Sequence, residues 1–248
     1  MDIAIAVGGT GGICRYLIEK IRESGEVGEI WLLTRSAERA GTVFPDSGKG
    51  FIRVIECDFS RPYELLSEML GGGEYEVKWL LNGAGVGLIA DVRDTPCADT
   101  ENMIRVNCTL PSAVVSAVLP YMKSGAHIVN FASAAAFCPQ PHFSVYAATK
   151  AYILSYSRAL GRELKREKIS VTAVCPGPVD TEFISKIERD RKINPKKKRA
   201  MADPRAVANH AYKCAKKGRA VAVYSFKMKL AHIACKMLPT SLVMKFFD

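Results

Sequence analysis

Three residues of the chain have the types and the spacing for acid–base chemistry. Tyr146 and Lys150 are one helical turn apart, and Ser133 precedes Tyr146 by thirteen positions at the end of an apolar run. A phenol, with a pKa of about 10, is a poor base at neutral pH, but an ammonium one turn away favours the phenolate and lowers that pKa. A serine hydroxyl can donate to a carbonyl oxygen as negative charge develops there. The cluster is therefore predicted to move a proton at a reacting carbon–oxygen bond.

Two other Tyr-x-x-x-Lys pairs show how specific this spacing is. Tyr16 is followed by Lys20, and Tyr212 is followed by Lys216. Neither pair has a hydroxyl-bearing residue thirteen positions before its tyrosine. We therefore predict that both are ordinary pairs on helix surfaces.

A glycine-rich turn near the N-terminus has the composition of a phosphate-binding loop. It reads Gly8-Gly9-Thr10-Gly11-Gly12, and it lies between the apolar run Ile3–Val7 and a helix-patterned segment that starts at Ile13. In a dinucleotide-binding fold such a turn brings backbone N–H groups to the pyrophosphate, and side chains would obstruct that approach. An ordinary tight turn is the alternative, but the position between a strand and a helix favours phosphate binding. The predicted cofactor contacts here are Gly8, Thr10, Gly11, Gly12 and Ile13.

The end of the second strand indicates which nicotinamide cofactor would fit. An acidic residue at this point bonds the ribose 2′-OH and favours NAD(H). The chain instead has Arg35 and Ser36, and the next carboxylate is Glu38. A guanidinium can hold a 2′-phosphate through two hydrogen bonds, and Arg15 can add a second positive charge. We therefore predict NADP(H) as the preferred cofactor and NAD(H) as the second choice, with a solvated loop arginine as the alternative for Arg35.

Length and composition suit one large α/β domain. The chain has 248 residues, of which 48% are hydrophobic. It has no uninterrupted run of about 18 apolar residues, so a membrane-spanning helix is not expected. The first eight residues lack a basic segment and are typical of a strand, not of a signal peptide. The eight cysteines and four histidines are scattered without short ligand spacings, so we expect free thiols in a reducing cytoplasm and no metal site.

Short apolar runs alternate with longer segments of helical periodicity. Most of the runs are apolar throughout, as expected of strands that helices cover on both faces. The pattern predicts an α/β fold with a doubly wound, mostly parallel seven-stranded Rossmann-type sheet, in a single domain over 1–248. The predicted strands are Ile3–Val7, Glu29–Thr34, Phe51–Glu56, Lys78–Asn82, Ala126–Ala132, Ser170–Cys175 and Ala220–Tyr224. The predicted helices lie near 12–23, 61–70, 98–122, 145–167 and 204–217.

These motifs resemble those of the short-chain dehydrogenase/reductase family. The spacing Gly8-x-x-x-Gly12-x-Cys14 is similar to the family's glycine motif, in which the last position is usually also glycine. The run Asn82-Gly83-Ala84-Gly85 is close to the family's Asn-Asn-Ala-Gly, with Gly83 as the departure. The matches run in family order from residue 8 to residue 181, nearly three quarters of the chain.

The resemblance implies an NAD(P)-dependent oxidoreductase that acts on CH–OH groups, with Tyr146 as general acid/base. It implies that Asn107 holds a water linking the lysine to solvent, for which a helix-bending core amide is the alternative. It implies that Asp58 bonds the adenine amino group, for which an exposed turn aspartate is the alternative. The implied catalytic residues are Asn107, Ser133, Tyr146 and Lys150, and the implied cofactor contacts beyond the glycine turn are Arg35, Ser36, Asp58, Asn82, Ala84, Gly85, Tyr146, Lys150, Pro176, Gly177, Val179 and Thr181.

The resemblance also implies a homodimer or homotetramer in which the helices at 98–122 and 145–167 pair between subunits. Substrate contacts are expected from 134–143, from the loop at 87–96 and from a charged flap at 183–203. The apolar residues of these segments indicate a small to medium hydrophobic carbonyl compound or alcohol. They are Phe137, Pro139, Pro141, Phe143 and Phe183. His142 is interpreted as a loop histidine and not as a further acid or base.

Positive charge is concentrated at the C-terminal end. Residues 1–190 carry 20 basic and 23 acidic side chains, whereas residues 191–248 carry 15 basic and two acidic ones. The extension 225–248 mixes lysines with large apolar residues and is predicted to be a basic amphipathic helix that Pro239 interrupts. Such a helix can lie peripherally on an anionic membrane surface, or it can pack on the substrate mouth or on a partner subunit. No nucleic-acid recognition motif accompanies it, so no nucleic-acid partner is expected.

Two alternatives to an enzyme follow from these features. One is a nucleotide-binding regulatory protein that uses the same fold without turnover. The other is a membrane-surface binding protein whose function depends on the basic extension.

Overall fold

A seven-stranded sheet runs through the centre of the protein. The computed structural model describes residues 1–47, 50–188 and 201–244. The strands pair in the order β3-β2-β1-β4-β5-β6-β7, and every pairing is parallel. The strand order reverses between β1 and β4, which is where doubly wound sheets bind their ligands. The strands are β1 (Asp2–Val7), β2 (Glu29–Thr34), β3 (Ile52–Glu56), β4 (Glu76–Asn82), β5 (His127–Phe131), β6 (Ser170–Val174) and β7 (Val221–Ala222).

Helices cover both faces of this sheet, so each strand faces two apolar layers. Alternate residues of a strand point to opposite faces. Ile3 and Ile5 of β1 belong to the core on one face, and Ala4 and Ala6 belong to the core on the other. The helices are α1 (Gly12–Ser24), α2 (Ala37–Val43), α3 (Pro62–Gly71), α4 (Cys97–Ile104), α5 (Leu110–Val118), α6 (Ser144–Glu163), α7 (Glu182–Ile187), α8 (Pro204–Lys216), α9 (Phe226–Met237) and α10 (Thr240–Met244).

The predicted fold class is confirmed, and each predicted strand and helix is present with small shifts at its ends. The patterns missed α2 and α7, which have seven and six residues. Helices of this length complete fewer than about two turns, so they produce little apolar periodicity. The described part of the C-terminal extension, up to Met244, is largely helical as predicted, and it divides at Pro239 into α9 and α10.

The segment predicted as one helix over 98–122 is irregular in the middle. A π-helical stretch, Arg105–Thr109, separates α4 from α5 and carries Asn107. By length and composition the whole segment Cys97–Tyr121 could cross a membrane, which was not expected from the apolar runs. Half of its most apolar stretch of 18 residues is buried inside the protein. Val114, Val115 and Val118 of α5 are part of the core on one face of the sheet, which accounts for the apolar composition of this helix.

Candidate active site

A cavity of about 1230 Å³ gathers most of the residues predicted to act in binding and catalysis. It lies along the carboxyl ends of the central strands, where the loops after β1, β2, β4, β5 and β6 meet. Asn82 and Asn107 are buried beside it. The predicted residues that line it are Gly8, Thr10, Gly11, Gly12, Ile13, Arg35, Ser36, Asp58, Ala84, Gly85, Ser133, Tyr146, Lys150, Pro176, Gly177, Val179 and Thr181.

The glycine turn has the backbone that a phosphate cradle requires. Gly8 and Gly12 have φ angles of 74° and 53°, a region that favours glycine. A Cβ on Gly8 would lie 2.6 Å from the Cα of Ala84, so the loop after β4 passes directly against this turn. A Cβ on Gly12 would lie 3.6 Å from the methyl group of Thr181, so the loop after β6 also borders this turn.

The N-terminus of α1 is suited to an anion. Its N-cap is Gly11, which has no side chain. No side chain of the described residues therefore caps the first N–H groups of the helix. The first turn of α1 also contains no acidic residue. Since the N-terminal end of a helix carries partial positive charge, this end favours a phosphate group.

At the end of the cavity beside β2, the basic residues differ in part from those predicted. Arg35 lies 5.9 Å from the ring centroid of Phe59, and Ser36 caps α2 by accepting a hydrogen bond from the backbone N–H of Arg39 at 3.1 Å. Arg39, which the sequence analysis missed, lines the cavity and pairs with Glu182 at 2.5 Å. Arg15, which was expected to add a second positive charge, does not line the cavity, and its guanidinium lies over the ring of Tyr16 at 4.4 Å.

Ser133, Tyr146 and Lys150 converge on the cavity. Tyr146 is 6% exposed, and its ring stacks on Phe143 with centroids 4.2 Å apart. The Lys150 ammonium donates to the backbone carbonyl of Phe131 at 2.8 Å and lies 5.6 Å from the Tyr146 ring centroid. Ser133 caps the turn that follows β5, since its hydroxyl accepts from the N–H of Ala135 at 3.1 Å.

The pKa of Tyr146 moves in the direction opposite to the predicted one. Burial raises it to about 12, and the hydrogen bond with Ser133 opposes this rise. Burial also lowers the pKa of Lys150 to about 8, because the charged ammonium loses water inside the protein. At neutral pH the phenol is therefore protonated and suited to donating a proton, while the ammonium loses its charge at an unusually low pH.

Asn107 connects two walls of the site. Its amide donates to the Val86 carbonyl at 2.8 Å and to the Thr149 hydroxyl at 3.0 Å, and its carbonyl accepts from the Val86 N–H at 2.9 Å. A Cβ on Gly85 would lie 3.4 Å from the Lys150 nitrogen and 3.6 Å from the Asn107 oxygen. Asn107 therefore fixes the loop after β4 to α6, next to the lysine.

Asn82 joins neighbouring strands. It donates to the side-chain oxygen of Asn130 on β5 at 2.8 Å, and Asn130 donates to Ser157 of α6 at 2.9 Å. The side-chain oxygen of Asn82 is buried and has no hydrogen-bond partner within the described part of the chain. This chain of amides therefore holds the ends of β4 and β5 together beneath the cavity.

The cavity wall on the substrate side is apolar, largely as predicted. Phe137, Pro141, Phe143 and Phe183 line it, whereas Pro139 is exposed. From the loop at 87–96 the lining residue is Ile89. Phe183 belongs to α7, so the first part of the predicted flap is a short helix, and residues 189–200 lie outside the described residues.

His142 anchors a loop at the edge of the cavity. Its Nδ1 is paired with the Asp91 carboxylate, and its carbonyl accepts from the N–H of Ala90 at 2.9 Å. The residue adopts a φ of 59°, which tight loops impose on few residues other than glycine. These contacts agree with its interpretation as a loop histidine.

The two other Tyr-x-x-x-Lys pairs lie elsewhere. Tyr16 contacts Arg15 and also Arg205, whose guanidinium lies 4.8 Å from its ring centroid. The Tyr212 hydroxyl donates to Glu26 at 2.8 Å. Both pairs lie on helices, Tyr16 and Lys20 on α1 and Tyr212 and Lys216 on α8, as predicted. Within residues 1–47, 50–188 and 201–244, no cluster of three or more His, Cys, Asp or Glu side chains is arranged to hold a metal ion.

The fold and this site define a class of proteins, and comparison with known proteins identifies it. The family model for short chain dehydrogenases matches residues 2–192. An uncharacterized short-chain type dehydrogenase/reductase of Sinorhizobium fredii is 30% identical over 196 residues, which is 77% of this chain and 35% of that protein. An uncharacterized oxidoreductase of Staphylococcus epidermidis is 30% identical over 185 residues, or 72% of this chain and 78% of the relative. The chain thus spans about a third of the first relative and most of the second.

A solved structure with the same fold is the short-chain dehydrogenase of Sphingobium yanoikuyae in complex with NADPH. It has a TM-score of 0.80 and 21% sequence identity, and the alignment covers 98% of this chain and 95% of that chain. The chain belongs to the short-chain dehydrogenase/reductase family, whose members are oxidoreductases that act on CH–OH groups.

Proposed function

We propose that the protein is an NADP(H)-dependent oxidoreductase that interconverts a carbonyl and a secondary alcohol on a small to medium hydrophobic substrate. One observation carries the proposal: the hydroxyls of Ser133 and Tyr146 and the ammonium of Lys150 line the same cavity as the glycine turn. A proton donor and a phosphate cradle in one cavity are what a carbonyl reduction with a nicotinamide requires.

The residues present fit a dinucleotide phosphate. Gly8 and Gly12 remove the side chains that would fill the cradle, and the N-terminus of α1 attracts the pyrophosphate. Arg35 and Arg39 line the same end of the cavity as Ser36, and they would hold the 2′-phosphate by charge-assisted hydrogen bonds. When bound, this cofactor supplies or accepts the hydride. NAD(H) is the second choice, because no carboxylate takes the place of Arg35 at the end of β2.

The proton step belongs to the side chains of the chain itself. Tyr146 is protonated at neutral pH and would deliver its proton to the carbonyl oxygen of the substrate. Ser133, which lines the same cavity, would donate to the same oxygen. Lys150 would place a positive charge beside the phenolate that remains, and Asn107 would keep the lysine in position through Thr149 and the loop after β4.

The lining of the cavity supports the substrate class. Four apolar side chains, Phe137, Pro141, Phe143 and Phe183, line the cavity, and the rings of Phe143 and Phe183 pack against Tyr146. An apolar carbonyl compound or alcohol would bury its surface there.

Substitution of Tyr146 by Phe tests the proposal. Purified Tyr146→Phe should lose about 10²- to 10⁴-fold in turnover of a panel of hydrophobic ketones with NADPH, since it removes the proton donor. Binding of NADPH, followed by the fluorescence of the reduced nicotinamide, should remain. The matched control is Tyr16→Phe, another tyrosine of a Tyr-x-x-x-Lys pair, which should keep both properties.

Each alternative gives a different result. A regulatory nucleotide-binding protein would bind NADPH but turn over no ketone in any variant. A protein that acts only at a membrane surface would fail to bind NADPH. Full activity in Tyr146→Phe would refute the assignment of the proton donor.

We propose that the active form is a homodimer or homotetramer that works in the cytoplasm. The outer face of α6 presents small exposed residues, Ala148, Ala151, Ser155 and Ala159, around Tyr152, which is 46% exposed. Such a flat surface suits close helix packing, and the Tyr152 hydroxyl lies 3.0 Å from Ser112 of α5 on the same face. The eight free cysteines fit a reducing compartment. Light scattering of the wild type and of Ala151→Arg should show a dimer or tetramer that the arginine dissociates.

A further inference from the structure

Helix α9 covers the mouth of the cavity with one of its faces. Met228, Ala231 and Cys235 line the cavity, and the ring of His232 stacks on Phe137 with centroids 4.2 Å apart. The spacing of these residues is the i, i+3, i+4, i+7 pattern of a single helix face. A Cβ on Gly177 would lie 2.9 Å from the Met228 sulfur, so this face is also in contact with the turn after β6.

The opposite face of α9 is apolar and exposed. Its side chains are Phe226, Leu230, Ile233 and Met237, with exposed fractions of 73%, 50%, 57% and 78%. At about 100° per residue, these four lie within about 60° of one another and directly opposite the face that lines the cavity. We call these four residues the outer stripe. Leu242 of α10 is also exposed, at 43%.

Basic residues border the outer stripe on both sides. Lys227, which also lines the cavity, lies on one edge, and Lys229 and Lys236 lie on the other. The sequence from Phe226 to Met244 contains no acidic residue. An exposed apolar stripe between two basic edges is the pattern of helices that lie in the interface of an anionic bilayer.

We propose that the outer stripe docks the protein on the surface of an anionic lipid bilayer, with α9 in the plane of the interface. The charges favour this occupant over a second copy of the chain. A symmetric pairing through the outer stripe would bring the three lysines of each copy together without an acidic partner from α9 or α10. Anionic headgroups would instead neutralise these lysines while the apolar side chains leave water.

Docking in this orientation would bring the catalytic cavity close to the lipid. Since the two faces of α9 are opposite, the cavity mouth would lie about one helix diameter, roughly 10 Å, from the bilayer surface. This consequence rests on the proposed function: an apolar substrate dissolved in the membrane would reach Tyr146 without crossing bulk water.

Vesicle sedimentation tests the docking. The purified full chain should bind vesicles of mixed phosphatidylglycerol and phosphatidylcholine, and binding should weaken with added salt and with pure phosphatidylcholine. The double variant Leu230→Ser with Ile233→Ser should bind at least about tenfold more weakly, because two large side chains no longer enter the interface. Both residues face away from the cavity, so NADPH binding and turnover of a water-soluble ketone should not change.

Charge variants provide a matched control. Lys229→Glu with Lys236→Glu should abolish binding to the anionic vesicles. Lys165→Glu with Arg166→Glu makes the same change of net charge at the far end of α6, next to the start of β6, and should retain most of the binding. An equal loss in both pairs would show non-specific attraction and would overturn the proposal.

The remaining outcomes are also decisive. Absence of vesicle binding at low salt, or equal binding by the Leu230/Ile233 variant, would overturn the proposal. The proposal is also overturned if that variant binds vesicles as well as the wild type does but dissociates a dimer in light scattering. The outer stripe would then be a subunit interface. Failure of the proposed function would appear separately, as vesicle binding without turnover of any ketone.

Discussion

The thiol of Cys14 occupies the space that a side chain at position 83 would need. A Cβ built on Gly83 would lie 2.6 Å from the Cys14 sulfur and 2.9 Å from its Cβ. Both positions depart from the pattern of the family. Cys14 is larger than the glycine that usually ends the glycine motif, and Gly83 is smaller than the asparagine that usually follows β4. The contact shows that the glycine at position 83 makes room for the side chain of Cys14. Burial raises the pKa of the Cys14 thiol to about 12, so the group is neutral where it packs.

This contact predicts coupled effects on stability. Gly83→Ala should lower the free energy of unfolding by about 1–3 kcal/mol, because the new methyl group overlaps the thiol. In a Cys14→Gly background the same change should cost little, which gives a coupling energy of at least about 1 kcal/mol. Urea unfolding of the four proteins measures this cycle.

The control is Gly41→Ala in α2, where a Cβ would meet no described atom within 4 Å. It should stabilise the protein by about 0.5–1 kcal/mol, with or without Cys14. Additive effects of the changes at 14 and 83 would contradict the compensation.

The low pKa of Lys150 predicts how activity depends on pH. Burial lowers this pKa to about 8, so the ammonium is charged below that pH and neutral above it. Reduction of a ketone should therefore slow as the pH rises through about 8, by up to about tenfold per pH unit. Tyr146, with a pKa of about 12, stays protonated over the same range. The measurement is kcat/KM with NADPH from pH 6.5 to about 10.

Lys150→Arg separates the lysine from other groups. A guanidinium stays charged over this range, so the decline above pH 8 should disappear even though the rate is lower. Lys216→Arg, in another Tyr-x-x-x-Lys pair, should keep the decline. If the decline persists unchanged in Lys150→Arg, another group is responsible for it.

The sequence predicted the sheet and most of the cavity because both depend on local patterns. The central strands are buried on both faces, so most of them are largely apolar runs, as in Ile3–Val7. In a doubly wound sheet the residues that follow such strands meet at one edge. The positions of the glycine turn, Ser133 and Thr181 could therefore be predicted without knowledge of any contact.

Properties that depend on side-chain direction or on burial could not be predicted in this way. Arg15 and Arg39 are both basic residues near the start of a helix, yet Arg15 turns to Tyr16 and Arg39 turns into the cavity. The pKa of Tyr146 rises because Phe143 and Phe183 pack on the ring from separate segments. Amphipathic periodicity predicted a helix in the C-terminal extension, but not which face would cover the cavity.

The basic residues after β2 predict the cofactor preference. Arg35→Ala should weaken NADPH binding about 10- to 100-fold, because a hydrogen bond to a charged phosphate is lost. NADH binding should change little, since it carries no 2′-phosphate. Fluorescence titration of the two reduced cofactors measures both affinities.

Arg15→Gln is the matched control, because the side chain of Arg15 lies over Tyr16. It should leave both affinities unchanged. Arg39→Gln should weaken NADPH selectively, as Arg35→Ala does. An equal loss of NADPH and NADH affinity in Arg35→Ala would mean that the arginine supports the loop and does not bind the 2′-phosphate.

His127 predicts how stability depends on pH. Burial lowers its pKa from 6.5 to about 4, Lys216 adds to this effect, and Glu26 opposes it. The ring lies between Trp79, at 4.3 Å, and the Ser170 hydroxyl, at 2.6 Å. Because the pKa in the folded protein is below that in the unfolded chain, the unfolded chain binds more protons between these values. Stability is therefore fully present above about pH 6.5 and is lost as the pH falls towards 4.

His127→Gln tests this assignment, since glutamine does not titrate and can still bond to Ser170. Between pH 7 and pH 4.5 the wild type should lose about 2 kcal/mol more of its free energy of unfolding than the variant does. Between pH 7 and pH 8 the difference between the two proteins should be constant, because the imidazole is neutral in both the folded and the unfolded wild type. Urea unfolding at each pH measures the difference. If the free energies of unfolding of the two proteins fall in parallel as the pH is lowered, His127 is protonated as readily in the folded protein as in the unfolded chain. Its burial between Trp79 and Ser170 would then not destabilise the protein in acid.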